Sequence, residues 1–155
     1  MGFYESHRGM FTSDKGDWET PQELFDALNG MFRYDIDVFT NGRNSKCDRF
    51  FTPDDDALSK SWGGLTWFAN PPYGRDMARF VRKCAEESRH SKGTLLVPSR
   101  TDTGWFWRYV APYARVEFIR GRLRFEIDGV PQQSAPFPSM LAFYGEEPNV
   151  SQWRQ

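Results

Sequence analysis

The residues best suited to chemistry in this sequence form one short stretch, Asn70-Pro71-Pro72-Tyr73, which follows the apolar run 65–69. Proline has no N–H and a locked φ, so two in succession end a strand or a helix. The Asn70 side-chain oxygen and the Pro71 carbonyl are both hydrogen-bond acceptors, and the prolines bring no competing donor. Two acceptors side by side at a strand end suit a group that carries two N–H bonds. Tyr73 adds an aromatic face. The plain alternative is a turn, because Asn and Pro favour chain reversal.

The elements that would position these residues follow from pattern. Thr20 and Pro21 open an amphipathic helix, with Thr20 as N-cap, Pro21 as first helical residue and Glu23 where a capping-box carboxylate sits. Leu24, Phe25 and Leu28 form its apolar face and Gly30 stops it. Residues 34–39 alternate as a strand, and a polar, irregular stretch runs on to Lys60. Residues 65–69 form the next strand, 77–89 a helix, 94–97 a short buried strand and 105–113 a helix. Residues 116–127 and 139–144 are further strands, partly antiparallel. Strands alternating with helices predict an α/β sheet, mixed but mostly parallel, with an antiparallel C-terminal portion. In such sheets ligands bind at the carboxyl ends of parallel strands. Asp37-Val38-Phe39, the Asn70 stretch and Val97-Pro98-Ser99-Arg100 all fall at predicted strand ends, which puts them on one rim.

Composition narrows the classes. The 155 residues suit one domain, and 39% hydrophobic with 17% aromatic residues is enough for a core. Residues 1–12 read as a loose leader without an apolar signal core, 13–146 as the domain and 147–155 as a C-terminal tail. No run is long and apolar enough to span a membrane. Two cysteines and two histidines argue against a disulfide scaffold, a four-ligand zinc site or any metal built by the protein, and make a cytoplasmic setting the default. The net charge is −1, but residues 75–124 carry 12 Lys and Arg against 5 Asp and Glu, while both flanks are acidic. A basic middle fits a polyanion partner, and equally fits ordinary arginine-bearing helix surfaces.

The motifs together resemble the phage-type DNA N6-adenine methyltransferase family, known as phage Dam. The matching pieces are Asp17-Trp18-Glu19-Thr20-Pro21, Asp35-Ile36-Asp37-Val38-Phe39, Asp56-Ala57-Leu58 with Trp62, Asn70-Pro71-Pro72-Tyr73-Gly74, Leu96-Val97-Pro98-Ser99-Arg100 with Asp102-Thr103, and Gly121-Arg122-Leu123-Arg124-Phe125. They cover most of the chain. The resemblance implies a Rossmann-like domain of minimal size, without a separate target-recognition domain, that uses S-adenosylmethionine. It implies methyl transfer to the exocyclic N6 of adenine in double-stranded DNA, with the base flipped into a pocket formed by Asn70, Pro71, Pro72 and Tyr73. It implies cofactor contacts from Trp18, Thr20 and Pro21 near the methionine end, from Asp37 to the ammonium and from Asp56 to the adenine. A phage or prophage origin, and protection of viral DNA from restriction, are implied in the same way. One departure stands out: many enzymes of this chemistry have a glycine-rich loop after the first strand, and residues 37–42 hold a single glycine.

Arg75, Arg100, Arg120, Arg122 and Arg124 are the candidate DNA contacts, since guanidinium pairs well with phosphate. On a strand, Arg120, Arg122 and Arg124 would share one face, which could equally be the solvated face of an edge strand. Two other readings remain at this point. One is a methyltransferase acting on RNA adenine or a protein glutamine amide; the other is a nucleic-acid-binding module without catalysis, supported by six tryptophans and the arginines.

Overall fold

The computed structural model describes residues 18–153; the leader set at 1–12 and Asp17 of the first motif lie outside them. In chain order the elements are α1 (Gln22–Phe32), β1 (Ile36–Asp37), a 3-10 turn (Ala57–Ser59), β2 (Thr66–Ala69), α2 (Met77–Glu87), β3 (Lys92–Pro98), α3 (Gly104–Tyr109), β4 (Ala114–Phe118), β5 (Glu126–Ile127), β6 (Val130–Pro131) and β7 (Ser139–Tyr144). Five strands form one sheet in the order β1-β2-β3-β7-β4. β1, β2 and β3 pair in parallel, and β7 runs antiparallel between β3 and β4. Four of the five strands therefore point one way. This is the α/β class with an antiparallel C-terminal portion that the pattern predicts.

Alternation along the strands sorts side chains to two faces. On β3, Leu95 and Val97 join one apolar cluster with Val81, Cys84 and Phe106 of α2 and α3. Leu96 points the other way, into a second cluster with Phe25 and Leu28 of α1. The sheet is thus a middle layer between α1 and the α2–α3 pair, and each fully buried Leu, Val or Phe contributes roughly 1.5–3 kcal/mol. Gly93 is required by its parallel neighbour on β2. A Cβ there would stand 2.0 Å from the indole of Trp67, which lies across it and donates to Ser91 Oγ at 2.8 Å.

Several expected boundaries move, for physical reasons. Pro21, not Thr20, is the N-cap of α1, and no side chain of the first turn caps it. Instead the Gln22 N–H donates to Glu126 Oε2 at 2.9 Å, across 104 residues. Gly30 sits inside α1, which ends at Arg33 in a left-handed conformation, φ 53°. The predicted strand 34–39 keeps only two ladder residues; the Asp35 and Val38 N–H groups still donate to Thr66 and Phe68 of the β2 side, and on the opposite edge Asp37 bridges to Phe50. The predicted strand 116–127 divides: β4 ends at Phe118, Gly121 turns the chain at φ 80°, and a separate hairpin forms from β5 and β6. Two residues of the stretch read as a tail pack against β4 and the core. Asn149 Oδ1 accepts from the Val116 N–H (2.8 Å) and its Nδ2 donates to the Val116 carbonyl (3.0 Å), and Val150 rests on the core.

Candidate active site

The topology places the carboxyl ends of β1, β2, β3 and β4 on one rim. Asp37 ends β1, Asn70 follows β2, Ser99 and Arg100 follow β3, and the segment 119–125 follows β4.

Asn70 is the best-defined group of the rim. Its Nδ2 donates to the Trp18 carbonyl (3.3 Å) and to Thr20 Oγ1 (3.1 Å). A carbonyl can only accept, so the atom facing it must be the nitrogen, and the amide orientation follows from the partners. Oδ1 therefore points the other way. Neither Oδ1 of Asn70 nor the carbonyl of Pro71 accepts a hydrogen bond from any described residue.

The segment that holds this amide is itself held firmly. Glu19 and Glu126 pair as an antiparallel bridge, with backbone bonds of 2.8 and 3.0 Å. The buried Glu19 carboxylate accepts from the N–H groups of Asp128 (2.8 Å) and Gly129 (2.9 Å) and from Asn44 Nδ2. Trp18 meets Phe125 edge to face at 5.9 Å. Glu19 and the β5–β6 hairpin have a structural part that the motif reading missed. A signal for the hairpin was present: Asp128-Gly129 between apolar neighbours favours a two-residue turn with both φ positive, and they stand at 51° and 79°.

Beside Asn70 lies a cavity of about 270 Å³, near the lower end of the roughly 300–1,000 Å³ range of small-molecule sites. Trp18, Phe39, Asp56, Asn70, Pro72 and Phe80 are among its walls. A small polar recess of about 20 Å³ shares Trp18, Phe39, Thr40 and Asn70 with it and adds Glu19, Thr20, Asp37, Asn44 and Lys46. The expected residues Trp18, Thr20, Asp37, Asp56, Asn70 and Pro72 are thus brought together. Pro21 lines neither space; it begins α1 and its carbonyl accepts from the Phe25 N–H. Phe39 and Phe80, 5.0 Å apart edge to face, are walls that the pattern assigned only to a strand end and a helix face.

The two ends of this space differ electrostatically. Asp37 is 4% exposed, and burial pushes its carboxyl up to about 6, partly offset by N–H bonds from Lys46 (3.0 Å) and Phe39. Among the three consecutive aspartates at the other end, Asp55 is engaged by Thr52, whose N–H and hydroxyl both donate to it, at 2.8 and 3.1 Å. Asp56 lines the cavity and Asp54 does not. Trp62 anchors this loop from below: its Nε1 donates to the Ala57 carbonyl and its ring is fully buried.

Tyr73 is half-buried, edge to face with Phe125 (5.9 Å) and Phe137 (5.7 Å), and its hydroxyl donates to the Leu96 carbonyl (3.2 Å). Burial drives its phenol well above the ordinary range, so it stays neutral. Pro71 is buried. Arg75, Arg100, Arg120, Arg122 and Arg124 are all exposed, on three loops of the same rim. The shared strand face expected for the last three does not exist, because Gly121 breaks the extended run; Arg124 Nε donates to the Gln132 carbonyl at 2.8 Å. Among the described residues, no group of three His, Cys, Asp or Glu converges as a metal site would, and no helix is long and apolar enough to cross a membrane.

Residues 9–148 match the family model described as DNA N-6-adenine-methyltransferase (Dam). The chain is 32% identical over 116 residues to the DNA N-6-adenine-methyltransferase of Escherichia phage T1, covering 72% of this chain and 48% of the relative. It is 30% identical over 97 residues to the enzyme of the same description from Haemophilus phage HP1 (strain HP1c1), covering 61% and 56%. The chain thus spans about half the length of these curated relatives. The family match takes in every rim residue described above, from Trp18 to Arg124, and the chain belongs to the DNA N-6-adenine-methyltransferase (Dam) family.

Proposed function

We propose that this chain transfers a methyl group from S-adenosylmethionine to the exocyclic N6 of adenine in double-stranded DNA. The observation that carries the reading is the Asn70 amide, turned so that its oxygen faces out beside a cavity. The donor set of the cavity suits this cofactor. A buried carboxylate at the polar end, Asp37, fits an ammonium group; Phe39 and Phe80 offer aromatic walls; Asp56 at the far end fits an adenine amino group. Trp18 would flank the methionine part, and Thr20 borders the same recess with its hydroxyl engaged by Asn70. When bound, the sulfonium supplies an electrophilic methyl group.

The adenine amino group is a poor nucleophile, because its lone pair is delocalised into the ring. Asn70 Oδ1 and the Pro71 carbonyl accept its two N–H bonds and favour a tetrahedral nitrogen with a localised lone pair. With the sulfonium held beside it by the cavity residues, this nitrogen would take up the methyl group while the S–C electron pair stayed with the released thioether, and the extra N6 proton would leave to water. The two acceptors sit where positive charge develops, which lowers the barrier, and holding the reactants at near-attack distance contributes further. A base inside a duplex cannot reach this rim, so the target adenine is flipped out at a cost of a few kcal/mol. Tyr73, packed edge to face against Phe125 and Phe137, would offer its remaining ring face to the base. The arginines of the three rim loops would hold the flanking phosphates.

The test is methyl transfer from radiolabelled S-adenosylmethionine to unmethylated duplex DNA, wild type against Asn70→Ala, followed by nucleoside analysis. N6-methyladenine should form with the wild type and fall at least a hundredfold with the variant, the scale seen when a transition-state hydrogen-bonding group is removed. Label in RNA or protein but not DNA would refute the substrate. An undiminished variant would refute the role of the amide.

A further inference from the structure

The geometry points to Thr20 as a positioning residue for Asn70, acting through the amide rather than on the cofactor. The function of Asn70 depends on which atom of its amide faces the reacting group. An amide turned by 180° would present N–H bonds to an amino group that also carries N–H bonds, and the acceptor would be lost. Two partners prevent that here. The Trp18 carbonyl, 3.3 Å from Nδ2, would repel an oxygen in the same place. Thr20 Oγ1, at 3.1 Å, takes the second N–H. Both amide hydrogens are thereby committed to protein acceptors, and Oδ1 is left for substrate.

This device is built into the fold and does not depend on a bound ligand. Thr20 is 2% exposed, so no water competes freely for the contact. Its helix has its first N–H taken by Glu126, which leaves Thr20 Oγ1 uncommitted to capping α1. The backbone of residues 18–20 is fixed by the Glu19–Glu126 bridge, and the Glu19 carboxylate ties that bridge to the turn at Asp128 and Gly129. Thr20 also borders the polar recess. A cofactor contact and a positioning contact therefore predict different consequences for the same substitution.

The inference rests on the methyl-transfer reading for its kinetic consequence, and on geometry alone for its spectroscopic one. The experiment compares the full-length wild type, Thr20→Val and Thr20→Ser. Valine keeps the shape and removes the acceptor; serine keeps the acceptor. In the 1H–15N spectrum of the unliganded protein, the Asn70 side-chain NH2 pair is assigned by its loss in Asn70→Asp. It should exchange with solvent more slowly than exposed asparagine amides. Thr20→Val should remove the protection of the hydrogen held by Oγ1, and Thr20→Ser should restore it. In steady-state transfer to duplex DNA, Thr20→Val should lower kcat about tenfold, the effect of one hydrogen bond on orientation, with the KM for S-adenosylmethionine within about twofold of wild type; serine should recover the rate. An unprotected Asn70 amide in the wild type, or one unaffected by valine, overturns the inference. So does a raised KM with unchanged kcat, which makes Thr20 a cofactor contact. If wild type transfers no methyl group to DNA, the functional reading fails while the amide measurement still decides the role of Thr20.

Discussion

Replacing Asp37 with asparagine should have opposite effects on stability and on ligand binding. Asp37 is 4% exposed at the end of β1, and burial raises its carboxyl from 3.8 to about 6; N–H bonds from Lys46 and Phe39 only partly offset this. The folded pKa lies above the unfolded one, so the folded state holds the proton more tightly. Ionisation is then a cost to folding that is absent below about pH 4, grows between pH 4 and 6, and is complete above. At about 1.4 kcal/mol per unit, the cost near neutrality is about 3 kcal/mol. Asparagine does not titrate. It does give up one acceptor for the Lys46 or Phe39 N–H, a loss of about 1–3 kcal/mol that does not vary with pH. The difference between the two proteins should therefore shift by about 2 kcal/mol in favour of asparagine between pH 4 and pH 7. Urea denaturation of the unliganded proteins across that range measures it. Parallel pH curves would refute the reasoning, since the carboxyl would then not be carrying an uncompensated charge.

The second arm concerns what offsets that charge. If the ammonium of S-adenosylmethionine pairs with Asp37, ligand should raise the melting temperature of the wild type and do so much less for Asp37→Asn. Wild-type affinity should weaken as pH falls through about 6 and the carboxyl takes up its proton. Equal thermal shifts in the two proteins would remove Asp37 from the cofactor site.

Two further perturbations probe the rim and the core. Arg122 is exposed on the β4–β5 segment, and Arg122→Ala should reduce the slope of log affinity for duplex DNA against log salt by about 0.9, one phosphate contact; an unchanged slope would take this loop out of the interface. Gly93→Ala should destabilise by at least about 1–3 kcal/mol in chemical denaturation, because its Cβ would stand 2.0 Å from the Trp67 ring, and unchanged stability would refute that packing argument.

Much of the site was legible because its parts lie at strand ends, and strand ends are marked by residues that cannot continue a strand. Asn70-Pro71-Pro72 and Pro98-Ser99 announce themselves in this way. The failures have a common cause. Thr20 reads locally as a helix cap, but its hydroxyl goes to Asn70 and the helix is capped by Glu126, 104 residues away. The strand at 34–39 keeps two ladder residues, and its outer edge at Asp37 pairs with residues 49–51 of a stretch that carries no strand pattern. Glu19 has no local signal at all, since its partners are backbone N–H groups of a distant turn and the Asn44 side chain. Long-range polar pairing is not written in periodicity, which records only which face is apolar.

The missing glycine-rich loop has the same explanation. After β1 the chain is shaped by side chains and backbone bonds rather than by glycines. Asp37 is braced by residues 46–51: Lys46 donates to its carboxylate, Arg49 accepts from its N–H and Phe51 donates to its carbonyl. The single glycine, Gly42, serves packing, with φ 88° and the space for a Cβ closed by Thr52 and Phe50 at 3.1 and 3.2 Å. Among the described residues, five polar side chains are buried: Glu19, Thr20, Asp37, Thr94 and Ser139. Thr94 is matched by Tyr34 at 2.6 Å, and Glu19 and Thr20 by the hairpin and Asn70. Burial keeps the Asp37 carboxyl raised after every bond the described residues give it. The fold satisfies its other buried carboxylate, Glu19, with three donors and leaves Asp37 raised, which supports the proposed pairing of Asp37 with a cation carried by the ligand.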